Sequence, residues 1–461
     1  MNKNSLSKRT WFNICLFSFM GGVAWNLENM YFNTFLYNEI YAGSTYSPVY
    51  LYANGIMQPT TAISRMVALS AITAVVTTFI MGTFSEKMKK RKAFISIGYI
   101  VWGVITALFG FITKENVAAI FGLNDEAKIL FCTIWMVIIM DMVMTFMGST
   151  SNDSAFNAWV TDVTNPSVRP TVETALTFVG FFAMAAVMGV GTLAQAGIVA
   201  YDIFFLVLGI IVSICGVAGL FLLEDPEIKG EKTKGNYWAD LFYGFRPSVV
   251  KENSRLYLAL AAVGFYSIAV QVFFPYLFVY LEKVIVPANF GGQPISPLVI
   301  VVAVLAVATL IAGVVVLLKV SATKKFLGLV FGVVCFTLGL FLLSSSTNII
   351  VVLIGIAPTF IGYLVLMIQL NAAVRDFIPE DKVGLFQGIR MIFAVLLPMI
   401  VGPYLGDLAS RVSNITIIEY GQEKIVPSSS MFFVAAIISI LVFIPLIALS
   451  KKGFEVETEE E

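Results

Sequence analysis

The chain has 461 residues, 58% of them apolar and 13% charged, with 29 basic and 29 acidic side chains and no histidine. Soluble domains carry about 25% charged residues, so this composition excludes an ordinary globular protein and points to the bilayer. A net charge of zero says nothing about partners, and no nucleic acid is expected among them.

A bilayer core about 30 Å thick takes about 20 apolar residues at a rise of 1.5 Å. Twelve stretches meet that length, near 11–37, 62–84, 93–113, 128–157, 172–196, 201–223, 256–281, 298–318, 326–346, 349–371, 386–406 and 429–449. They are continuously apolar rather than alternating, which predicts helices and not a barrel. The first has the basic start of a signal peptide. It is too long for one, and Asn26, Glu28, Asn29 and Asn33 interrupt it, so it reads as an uncleaved span. Cys15, Cys132, Cys215 and Cys335 lie inside separate spans and read as buried free thiols, not as disulfide or metal ligands.

Lysine and arginine concentrate on one side of these spans. With the N-terminus inside, the inner segments hold 23 of them, and six (Arg65, Lys114, Lys128, Lys283, Arg411 and Lys424) fall outside. That excess predicts both termini in the cytoplasm and a multi-pass protein of the cell membrane.

Along the chain, the loop after span two reads Gly82-Thr83-Phe84-Ser85-Glu86-Lys87, followed by Met88-Lys89-Lys90-Arg91-Lys92. The longest inner segment, 224–255, separates six spans from six, so the predicted domains are 1–223, a linker 224–255, 256–449 and an acidic tail 450–461. Within the linker, Trp238, Leu241, Phe242 and Phe245 stand at i, i+3, i+4 and i+7, the stripe of a helix lying on the membrane face. The two halves carry a faint repeat. Asn157-Ala158-Trp159-Val160-Thr161-Asp162 after span four matches Asn371-Ala372-Ala373-Val374-Arg375-Asp376 after span ten at four of six positions. Parallel repeats with a site at their interface are a transporter architecture.

The span two–three loop resembles the signature loop of the major facilitator superfamily, with Glu86 where the family usually has aspartate. The stretch Thr150-Ser151-Asn152-Asp153-Ser154-Ala155-Phe156 resembles the glycoside–pentoside–hexuronide cation symporters, as do NAWVTDVTNPSVR after it and GLFQGIRMIF in span eleven. The resemblance implies an all-α membrane protein with the major facilitator fold, twelve transmembrane helices in two six-helix bundles. It also implies that Asp153, with Thr150 nearby, coordinates a coupling cation and touches sugar. Two departures matter: Ala74 and Thr78 stand where melibiose-type carriers have two aspartates of the sodium site, so sodium coupling does not carry over, and Asn157 stands where they have a sugar-stacking tryptophan. Sucrose-type relatives use a proton and an acid in span one, which Trp25-Asn26-Leu27-Glu28 resembles.

A charge near the bilayer midplane costs about 2.5–3.5 kcal/mol on insertion scales, so Glu28, Asp141, Asp153 and Arg390 each require a reason. Thr150, Asp153 and Asn157 share one helix face, while Asp141, Thr145 and Asn152 form a second stripe about 120° away. Asp153 leads as the coupling group, with Glu28 and Asp141 as alternatives. Asn26, Asn29, Asn33, Gln271, Gln369 and Asn371 are the candidate sugar contacts beside Asp153 and Asn157, with interhelical bonding as the competing role. Gly82, Glu86, Arg91, Asp162, Arg169, Asp376 and Arg390 form the candidate loop motif and gate. Pro398, Gly402, Pro403 and Gly406 should bend span eleven.

Together these readings predict a secondary transporter that works as a monomer and imports a sugar or glycoside with a cation, a proton in preference to sodium. No other cofactor and no metal site is expected. Rivals are a carrier of an amphipathic solute, such as a drug or lysolipid, and a non-transporting sensor. An enzyme is disfavoured, because histidine is absent and no motif cradles phosphate or activates a nucleophile.

Overall fold

A computed structural model describes residues 6–43, 47–88, 90–164, 168–195, 197–225, 246–290, 325–378, 386, 389–419 and 421–452. The predicted eighth span (298–318), the aromatic stripe of the linker and all but the start of the acidic tail lie outside the described residues. So do the side chains of Glu86 and Arg169.

Among the described residues, ten helices are long and apolar enough to cross a membrane. They are Pro59–Gly82, Arg91–Phe109, Glu126–Val163, Ala175–Ala194, Tyr201–Leu222, Ser254–Asn289, Phe326–Ser345, Ile349–Phe377, Ile389–Ser413 and Ser430–Lys451, the counterparts of predicted spans two to seven and nine to twelve. Span one is helical from Lys8 to Leu27 and continues through π-turns at Glu28–Phe32 and Leu36–Ile40. Its asparagines and glutamate dilute its apolarity, which leaves it outside those ten.

Helix ends follow local chemistry. Ser7 and Asp125 cap spans one and four by accepting the backbone N–H of Thr10 and Lys128. Thr113 caps a short helix, Lys114–Phe121, that ends at Gly122 in the left-handed region (φ 64°). Three short helices, Pro48–Ala53, Lys114–Phe121 and Pro247–Glu252, escape the hydropathy pattern. A two-stranded hairpin, Thr416–Glu419 with Gln422–Ile425, escapes it too and turns at Gly421 (φ 77°). Among the described residues the regular structure is otherwise helical.

The chain falls into two compact units that change over between Lys232 and Thr233, with the short segment Ile418–Glu423 grouped with the first. In the first unit, span one packs on five, two on four and three on six. In the second, span seven packs on eleven and nine on twelve, so two of those pairings recur six spans later. Both units turn large apolar side chains outward, among them Phe182 (68% exposed), Phe221 (76%), Leu327 (61%) and Ile444 (63%). Such surface suits hydrocarbon and not water.

One end of the first unit is clasped by polar contacts. Arg91, buried on the turn that starts span three, pairs with Asp162 at 3.2 Å and donates to Ser85 Oγ at 2.6 Å. Trp159 donates to the Glu224 carbonyl, Asn13 to that of Leu222, and Arg9 reaches Glu224 at 2.7 Å. The signature loop therefore ties spans two, three and four to the segment after span six. Arg91→Met is expected to cost about 2–3 kcal/mol, because it leaves Asp162 and Ser85 without their shared cation. Denaturant melts of Arg91→Met, Asp162→Asn and the double variant should give strongly non-additive losses.

Candidate functional site

Within the first unit, a polar cluster is buried where spans one, two and four meet. Glu28 opens the π-turn of span one and is 6% exposed. Its Oε1 accepts from Ser70 Oγ of span two at 3.0 Å and from Thr145 Oγ1 of span four at 2.9 Å. Ser70 Oγ and Thr145 Oγ1 themselves lie 2.6 Å apart. Asp141, one turn before Thr145 and 2% exposed, lies within electrostatic reach of Glu28. Glu28 Oε2 and Asp141 Oδ1 are buried with no hydrogen-bond partner. Among the described residues, no lysine or arginine pairs with either acid.

Two acids buried side by side without a counter-charge are expensive. Hydrogen counting says what would relieve them. Three oxygens touch pairwise, yet two hydroxyls supply only two hydrogens. A third hydrogen, on Glu28 Oε1, would let Glu28 donate to Ser70, Ser70 to Thr145 and Thr145 to Glu28, so that every edge is a bond. The three spacings, 2.6–3.0 Å, are those of hydrogen bonds.

Asp153 lies two rungs along the same helix. Asp141, Thr145, Ser149 and Asp153 follow one another at four-residue steps, and Ser149 Oγ donates to Asp153 Oδ2 at 3.1 Å. In a straight α-helix the end members would stand about 120° apart. Here Ser149–Phe156 is a π-segment, which unwinds the helix and swings Asp153 back toward the face of Thr145. Interruptions of this kind are frequent at functional sites.

Neighbouring spans make room for the unwound turn. Tyr99 donates to the Phe17 carbonyl at 2.8 Å and accepts from Asn152 Nδ2 at 2.6 Å. A Cβ on Gly21 would come within 2.1 Å of Asn152 Nδ2, and one on Gly98 within 2.4 Å of Ser151 Cβ.

The other predicted site residues divide by environment. Asn26, Asn29 and Asn33 each donate to the carbonyl four residues earlier in span one, so their donors serve their own helix. Thr150 does the same, to Phe146, and the exposed Asn157 donates to the Asp153 carbonyl. Gly82 is half-buried near Ser154 Oγ, and Asp376 is exposed.

In the second unit Asn371 accepts from Arg390 Nη2 at 2.9 Å, while Gln369 keeps a buried Oε1 with no partner. Arg390, Asn371, Gln271, Ser267, Tyr266 and Tyr363 line a cavity of about 280 Å³. Gly402 and Gly406 bring span eleven against span seven, where a Cβ would meet Gln271 Cβ at 2.5 Å or the Val272 carbonyl at 2.0 Å. Tyr276 donates to the Pro403 carbonyl at 2.7 Å.

Reasoning from sequence missed Ser70, Ser149 and Tyr99. Serine and tyrosine are ordinary in membrane helices, and only the fold brings these three to the acids.

The fold has counterparts among solved structures. The chain overlays the crystal structure of a point mutant of the nucleoside transporter NupG with a TM-score of 0.67 at 12% identity, covering 95% of this chain and 99% of that one. It overlays a bacterial homologue of the human lysosomal transporter Spinster, inward-facing and unoccupied, with a TM-score of 0.63 at 9% identity, covering 97% and 98%. At such identities the likeness is one of fold. No curated protein sequence matches the chain. The profile of the Major Facilitator Superfamily matches residues 15–403, so the chain belongs to that family of membrane transporters.

Proposed function

We propose that the protein is a secondary transporter that carries a polar organic solute together with a proton, and that Glu28 and Asp141 hold the proton. The observation that carries this reading is the ring of Glu28, Ser70 and Thr145, in which every contact becomes a bond only when a proton is present. Neutralising the pair removes an uncompensated buried charge, and a solute that binds better to the neutral protein shares its binding energy with the proton. Such coupling is reciprocal. Both termini face the cytoplasm on this reading, as the basic excess of the inner loops requires. A sugar, a glycoside or a nucleoside-sized solute suits the polar cavity, and the nucleoside transporter among the structural counterparts lends that range support.

Asp153 takes second place here. It is only partly buried, and Ser149 already bonds one of its oxygens. Asp153→Asn is expected to slow uptake several-fold yet leave concentrative transport in place, whereas Glu28→Gln removes concentration altogether. The test is uptake of labelled sugars and nucleosides into vesicles bearing a proton gradient or, separately, a sodium gradient. Accumulation driven by protons alone supports the reading. Accumulation driven by sodium alone, or unaltered in Glu28→Gln, contradicts it.

A further inference from the structure

The cavity of the second unit has a fixed aromatic wall. Tyr266 of span seven is held by donating to the Tyr363 carbonyl at 3.0 Å and by an edge-on contact with Phe336, 5.8 Å between ring centres. Tyr363 of span ten stacks on Phe360, with 23° between the ring planes. The two tyrosine rings stand 5.9 Å from each other, and both line the cavity beside Leu366 and Met367. Rings supported in this way are already ordered, so a guest that packs on them does not bear that cost.

The neutral polar groups of the wall come from one face of span seven. Ser267 and Gln271 stand one turn apart there, and neither makes a side-chain hydrogen bond among the described residues. The stem of Gln271 is pinned by span eleven, where a Cβ on Gly402 would come within 2.5 Å of Gln271 Cβ. Its amide therefore meets the cavity from a fixed base. An amide presents a carbonyl acceptor and an N–H donor side by side. A planar edge that sets a donor next to an acceptor satisfies both at once, as the edge of a purine or pyrimidine does. A hexose is hydroxylated on nearly every carbon. Laid against Tyr266, Tyr363, Leu366 and Met367, it would give up water from hydroxyls that those surfaces do not bond, which is costly. The faces of a flat aromatic ring carry no such groups.

We propose that this cavity receives a planar heteroaromatic ring, such as the base of a nucleoside. The ring packs on Tyr266 and Tyr363 while Gln271 pairs with its edge and Ser267 bonds a neighbouring polar atom. This rests on the transport reading above and narrows its solute to one that bears such a ring. It also gives Gln271 a base edge to read in place of a sugar hydroxyl.

The test measures thermal stability of the purified, full-length protein in detergent with uridine, adenosine, ribose and glucose. At least one nucleoside should raise the midpoint and bind more tightly than ribose by about tenfold or more. Which of the two is preferred reports the edge that Gln271 reads. Gln271→Ala should weaken that nucleoside by about tenfold, the loss of one paired edge. Tyr363→Leu should weaken it to a similar degree, whereas Tyr363→Phe keeps the ring and should bind nearly as the parent does. Should Tyr363→Leu fail to fold, Gln271→Ala carries the test, because its side chain borders the cavity and is only half-buried. Ribose or glucose matching the nucleosides, neither nucleoside raising the midpoint, or Gln271→Ala responding as the parent does, overturns the proposal. Vesicle uptake separates the two readings. A nucleoside that binds here without crossing sinks the transport reading and spares this one, whereas concentrative sugar uptake indifferent to nucleosides sinks this one and spares transport.

Discussion

Glu28→Gln is expected to abolish concentrative uptake while leaving the protein folded. Each charge moved down 100 mV supplies about 2.3 kcal/mol, which sustains about fiftyfold accumulation. The variant should collapse that ratio to about one. Glutamine keeps an oxygen to accept from Ser70 and Thr145, whose contacts at 3.0 and 2.9 Å define the site, but it cannot take up or release a proton. Removing an acid whose second oxygen is buried without a partner should leave stability equal or slightly higher. Counterflow, the exchange of labelled for unlabelled solute without net proton movement, should survive. Asp141→Asn should reproduce the loss of accumulation. If it does not, Glu28 acts alone.

Gly209→Leu should be among the most damaging single changes in the first unit. Spans three and six meet backbone to backbone at two glycines. A Cβ on Gly209 would stand 2.4 Å from the Gly103 carbonyl oxygen and 2.5 Å from the Ala107 nitrogen, and one on Gly103 would meet the Gly209 carbonyl at 2.4 Å. Backbone atoms cannot swing aside as a side chain can, so the helices must separate. Overpacking costs about 1–3 kcal/mol where side chains can adjust; here the loss should reach the top of that range or exceed it, with a lower melting midpoint and poor recovery of folded protein. Gly180→Leu is the control. A Cβ there meets nothing within 4 Å, and the change should stay within about 0.5 kcal/mol.

Much of the fold was legible because the bilayer imposes a length and a composition on every span. Hydropathy located Tyr201–Leu222 and Phe326–Ser345 to within about a residue. The hairpin at 416–425 was not legible: two strands of four residues each are too short to show a period. Glu28 and Asp141 were recognisable as costly residues, but the 3.6-residue period set Asp153 on another face from Asp141. That geometry fails where the helix unwinds at Ser149–Phe156. The unwound turn packs against Gly21, Gly98 and Tyr99 of other spans, and no local signal in span four announces it. Ser70 illustrates the same limit. A hydroxyl in an apolar helix is commonplace until the fold sets it 3.0 Å from a buried acid.

The proposed proton has a direct spectroscopic signature. Infrared difference spectra of the membrane-reconstituted protein report the carbonyl stretch of a protonated carboxylic acid, which is distinct from the bands of ionised carboxylates and of amides. A band of this kind that is present in the parent protein, shifts when solute binds and disappears in Glu28→Gln is the predicted result. A band that persists unchanged in Glu28→Gln, or that never appears in the parent, contradicts the assignment of the proton to this site.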